Sequence, residues 1–75
     1  MTPGTALHVV NEIFVAVEHC GCILTEIEVT PEVYNALKES DEFENGRLWT
    51  AKVIVSEDPH TQYCRVKKTV KPEDL

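Results

Sequence analysis

Seventy-five residues with an apolar fraction of 43% make a single domain, residues 1–75, too short to split and too apolar to stay disordered. A net charge of −6 disfavours nucleic acid and anionic membranes as partners, and no apolar run approaches the ~20 residues needed to span a bilayer. Three cysteines, two of them separated by one residue, do not form a disulfide framework; with an N-terminus that lacks a basic region, they point to a reduced, cytoplasmic setting.

Thr5 to Cys20 carries two competing signals. Its β-branched residues Val9, Val10, Ile13, Val15 and Val17 favour a strand. Its periodicity favours a helix: Leu7, Val10, Ile13, Phe14 and Val17 share one side, and His8, Asn11, Glu12, Glu18 and His19 lie opposite within an arc of about 120°. Pattern outweighs weak propensity, so a helix is expected, with Thr5 as its cap and Gly21 ending it in the left-handed conformation. The alternative makes residues 7–19 a strand that hairpins at His19–Gly21 into the next one, giving a β-β-α-β-β order.

Residues 22–29 read as a strand with Ile23, Thr25, Ile27 and Val29 on one face and Leu24, Glu26 and Glu28 on the other. It runs into a helix over residues 31–39, capped by Thr30, begun by Pro31 and favoured by Glu32 at the positive end of its dipole. Residues 40–45 form an acidic connection in which Phe43 tucks down as a plug, and Asn45-Gly46 signals a turn. Arg47 to Ser56 reads as one strand, with Trp49, Ala51, Val53 and Val55 facing the core and Leu48, Thr50, Lys52 and Ile54 opposite; Trp49 is expected to be buried and central. Asp58-Pro59 marks a turn, and residues 62–70 alternate as a last strand before a polar tail at 71–75.

The expected fold is therefore a small two-layer α+β domain of order α-β-α-β-β, with helices on one face of a three-stranded sheet. The strand–helix–strand unit over residues 22–56 suits a parallel crossover, and the last two strands are expected to pair as an antiparallel hairpin. Glu26 and Glu28 point away from the helices, as do Lys52, Arg65 and Lys67, which predicts that the strand at 22–29 lies beside a basic one.

Few constellations could carry chemistry. His19, Cys20 and Cys22, with His60 and Cys64, offer zinc-type ligands, but a single residue between Cys20 and Cys22 does not match structural zinc spacing. Cys64 with His60 or His19 is the one conceivable nucleophile–base pair, and small buried cysteines beside solvated histidines account for the same residues. No glycine-rich loop is present that could cradle phosphate. No cofactor, metal or catalytic residue is assigned.

Ile23 to Leu37, with Val29-Thr30-Pro31-Glu32-Val33-Tyr34, and then Leu48-Trp49 and Val53-Ile54-Val55-Ser56-Glu57-Asp58-Pro59, resemble stretches of small uncharacterised phage and prophage proteins. The second stretch is also similar to a strand near the end of some phage capsid subunits. The resemblance covers about half the chain and implies an origin on a mobile element, such as a phage or integron cassette; it carries over no functional residue. The expected function is a small non-enzymatic protein-interaction module, homodimeric, meeting a protein partner through Leu48, Ile54, Tyr63, Glu26 and Glu28. The alternatives are an acidic inhibitor that occupies a nucleic-acid-binding site through Glu26, Glu28 and the acids of residues 39–44, and a small zinc-binding module.

Overall fold

The computed structural model describes residues 1–74. Helix α1 spans Pro3–His19. Thr2, not Thr5, is its cap: the Thr2 hydroxyl accepts from the Thr5 backbone N–H, and Pro3 takes the first helical position, where no N–H is required. Gly21, at φ +76°, ends the helix as its spacing predicts. Ala6, Val10, Phe14 and Val17 are the buried stripe, so helical periodicity prevails over the β-branched composition.

Strand β1, Ile23–Val29, leads through Thr30 into helix α2, Pro31–Leu37. The Thr30 hydroxyl accepts from Val33 N–H at 3.3 Å. Two short strands follow, β2 at Phe43–Glu44 and β3 at Arg47–Leu48, then β4 at Ala51–Val55 and β5 at Cys64–Val70. Asn45 and Gly46 both have positive φ, +54° and +77°, as a two-residue hairpin between β2 and β3 demands. Pro72–Asp74 adds one short 3₁₀ turn in the predicted polar tail, and Leu75 lies outside the described residues.

The fold is α+β: two helices pack on a five-stranded mixed sheet of order β2-β3-β4-β1-β5. The helices touch each other and both touch β1, which places them on one face. β1 runs parallel to β4 across the α2 crossover and antiparallel to β5.

Three expectations fail here. The sheet has five strands, not three. β4 and β5 do not pair as a hairpin; β1 lies between them. The charges give the reason: a β4–β5 pair would bring Lys52 against a strand holding Arg65, Lys67 and Lys68, whereas β1 supplies Glu26 and Glu28 to both neighbours. Residues 47–56 are not one strand either. The chain turns at Trp49–Thr50, with Trp49 at φ +53°, so Leu48 pairs with Ala51 and sits on the core side at 0% exposure, while Trp49 is 42% exposed.

The ladder of β1 and β5 is also irregular, with register shifts that leave out Thr25 and Lys67. The shift reverses part of the expected alternation. Leu24, Ile27 and Val29 are all buried, and Thr25 turns outward, its hydroxyl donating to the Lys68 carbonyl at 3.2 Å. The core closes around Val10, Leu24, Ile27, Val33, Leu37 and Leu48. Burying a side chain of this size contributes about 1.5–3 kcal/mol. Phe43 tucks against this core as expected, edge-on to Tyr34 with ring centroids 5.5 Å apart.

Candidate functional site

The outer face of the sheet, opposite the helices, gathers most of the positive charge. Of the seven lysines and arginines in the chain, Arg47, Lys52, Arg65, Lys67 and Lys68 lie here. Strand pairing builds one row across all five strands: Glu44 opposite Arg47, Arg47 opposite Lys52, Lys52 opposite Glu26, and Glu26 opposite Lys68. The row divides into two environments.

At one end of the face the charges are neutralised. The Glu28 carboxylate, 9% exposed, accepts from Arg65 Nη2 at 2.8 Å and Nε at 3.0 Å through one oxygen, and meets Lys67 Nζ at 3.1 Å through the other. Arg65 Nη1 also reaches Asp58 at 3.2 Å. Hydrogen bonds from Lys67, then Arg65, hold the Glu28 carboxyl below its usual range against the opposing effect of burial. Glu28 in turn raises the affinity of Arg65 for its proton.

At the other end they are not neutralised. Thr25, Glu26, Arg47, Lys52, Lys68 and Val70 line an open basin of about 410 Å³. Among the described residues no ion pair engages Arg47, Lys52, Lys68 or Glu26 within 4.0 Å. Three cations thus surround one carboxylate without direct contact, on a chain whose overall charge is negative. Isolated cations of this kind are available to an anionic partner.

A second surface is apolar. Ile13, Ala16, Val17 and Cys20 of α1 and its end, with Cys22, Val66 and Thr69, line a groove of about 360 Å³ between the helix and β5. β5 pairs only with β1 and forms the sheet edge, so half of its backbone groups face outward.

The sequence-predicted contact residues separate. Glu26 and Glu28 share the outer face with Ile54, which is half-buried opposite Glu28. Tyr63, 48% exposed, precedes β5, and its carbonyl accepts from Thr30 N–H at 2.9 Å. Leu48 belongs to the core and cannot enter a contact. Glu26 and Glu28 do not supply net negative surface, because each is surrounded by cations. Arg47, Lys52 and Lys68 are the residues sequence reading missed as a group; their shared row depends on pairings between distant strands, although the opposing charges of the strands hinted at it.

The cysteines are all free: Cys20 exposed, Cys22 and Cys64 half-buried. Among the described residues, no group of three or more His, Cys, Asp or Glu side chains is placed to hold a metal ion. Burial first, and then the charge of Glu12, push the Cys64 thiol above its usual range, which disfavours the thiolate. Among the described residues, no helix is long and apolar enough to cross a membrane. Trp49 caps the far end of the core, edge-on to Phe14 at 4.9 Å, with its Nε1 donating to Glu42 at 3.4 Å.

Comparison with known proteins yields no relative: no family model, curated protein or solved structure matches the chain.

Proposed function

We propose that this protein is a small non-enzymatic interaction module that binds an acidic surface of a protein partner through the outer face of its sheet. The observation that carries the reading is the basin in which Arg47, Lys52 and Lys68 stand without ion-pair partners among the described residues, on a chain of net charge −6. Cations gathered on one face give a partner of opposite sign both encounter rate and orientation.

The carboxylate of Glu26 at the centre of the basin favours protein over nucleic acid. A phosphate backbone presents one sign throughout and is repelled at that point; an acidic protein surface can place a donor against Glu26 and carboxylates against the cations. The self-association expected of this face rested on Leu48 and Ile54; Leu48 is buried in the core and Ile54 is half-buried, so a different protein fits better. A cytoplasmic setting belongs to the same proposal and accords with three free cysteines. So does the mobile-element origin that the resemblance implies.

Poly-L-glutamate serves as the probe. The wild type is expected to bind it with an affinity that falls as salt rises, and a Lys52→Gln/Lys68→Gln protein, still folded because both side chains are exposed, is expected to bind it more weakly. Equal binding by both proteins, or tighter binding to duplex DNA than to poly-L-glutamate, would overturn the proposal.

A further inference from the structure

We infer that the open edge of β5 accepts an added strand from an acidic partner: an extended segment in which acidic and apolar residues alternate. This rests on the reading of the chain as an interaction module and names a second, backbone-directed contact beside the basin.

Three features of β5 specify such an occupant. Its outer edge offers backbone N–H and C=O groups along Cys64–Val70 that pair with no strand among the described residues, where β5 is the one long strand with a free side. On its helix side, the edge borders the apolar groove formed by Ile13, Val17 and Val66, and Val66 remains 44% exposed. On its outer side stand Lys68, which has no ion-pair partner among the described residues, and Arg65 and Lys67, which Glu28 engages from the β1 side. Alternate residues of an incoming strand point to these two sides in turn, so apolar side chains enter the groove while acidic ones meet the cations.

β1 already meets the other edge of β5 in this way. Glu28 lies opposite Arg65, Ile27 opposite Val66, and Glu26 opposite Lys68. The sequence Glu26-Ile27-Glu28-Val29 is thus an internal example of the pattern that β5 accepts. The β5 edge of a second copy does not supply that pattern. Two-fold pairing of β5 with itself faces the same three cations across the new ladder, where like charges are destabilising. Edge lysines reject copies of their own strand but attract an acidic one.

The test uses an acetylated and amidated peptide that repeats the Glu26–Val29 sequence in tandem. Its binding is expected to slow amide hydrogen exchange at alternate residues of β5. Replacing its glutamates by lysines is expected to weaken binding by about tenfold or more, as several cross-strand charge pairs change sign. The Val66→Lys protein, which places a charge at the groove without disturbing a buried residue, is expected to lose binding while its basin still binds poly-L-glutamate. Slowed exchange on β5 together with these losses supports the inference. Shifts confined to Arg47 and Lys52, with β5 exchange unchanged, overturn strand addition and leave the basin proposal standing. A peptide that perturbs neither region, when poly-L-glutamate also fails to bind, overturns both. A wild-type dimer joined through β5 overturns strand addition as well.

Discussion

Glu28 and Arg65 face each other across the β1–β5 ladder, with two guanidinium nitrogens, at 2.8 and 3.0 Å, on a single carboxylate oxygen. Lys67 holds the second oxygen, so a nearly buried carboxylate has a cation on each side. This arrangement fixes the position of β5 against β1 more specifically than apolar contact alone, since a shifted register would strand Glu28 without its partners.

The same contacts make stability pH-dependent. The folded-state pKa of Glu28 lies below its usual 4.5, so its contribution is present above that value and is lost as pH falls through the folded-state pKa. Glu28→Gln is expected to be less stable than the wild type at neutral pH and to lose less on acidification, so the two stability curves converge at low pH. Chemical denaturation across the acid range measures this; parallel curves would assign the acid limb to other carboxylates.

Leu48 is a core residue, with no surface exposed, between Phe43 and Ala51 on neighbouring strands. Leu48→Ala is expected to cost about 2–5 kcal/mol, a large part of the stability of a small domain. A denaturation midpoint close to that of the wild type would place Leu48 at the surface, as its alternation with Trp49 first suggests.

Trp49 combines a left-handed backbone, φ +53°, with an edge-on contact to Phe14. A non-glycine residue pays roughly 1–2 kcal/mol for that conformation, and the aromatic contact returns about 0.5–1.5 kcal/mol. Trp49→Ala loses the contact and keeps the strain; Trp49→Gly loses both. The glycine protein is therefore expected to melt at a higher temperature than the alanine protein. The reverse order would show that the backbone there is unstrained.

Local chemistry made much of the fold legible in the sequence. The Thr30-Pro31 start of α2, the Gly21 stop of α1 and the Asn45-Gly46 turn each depend on a few adjacent residues and stand where expected. Thr30→Ala should accordingly cost roughly 1 kcal/mol. The opposed charges of Glu26 and Glu28 against Lys52 and Arg65 correctly placed β1 beside basic strands, here on both sides.

What stayed hidden was non-local or locally irregular. The choice between β4–β5 pairing and insertion of β1 between them depends on contacts made only in the folded sheet. The bulge that turns Thr25 outward and Leu24 inward defeats period-two reading. A tryptophan in a left-handed turn position violates the usual turn chemistry, so period-two alternation reads Trp49 as strand and puts Leu48 on the opposite face from the one it occupies. The candidate site shares this difficulty: Arg47, Lys52 and Lys68 are scattered along the chain and become one row through register alone.

Amide-resolved NMR of the wild type titrated with poly-L-glutamate tests the central claim most directly. Shifts are expected to concentrate at Arg47, Lys52 and Lys68 around the basin and to weaken as salt is added. Shifts absent from these residues, or centred instead on the exposed helix face around His8 and Asn11, would contradict it.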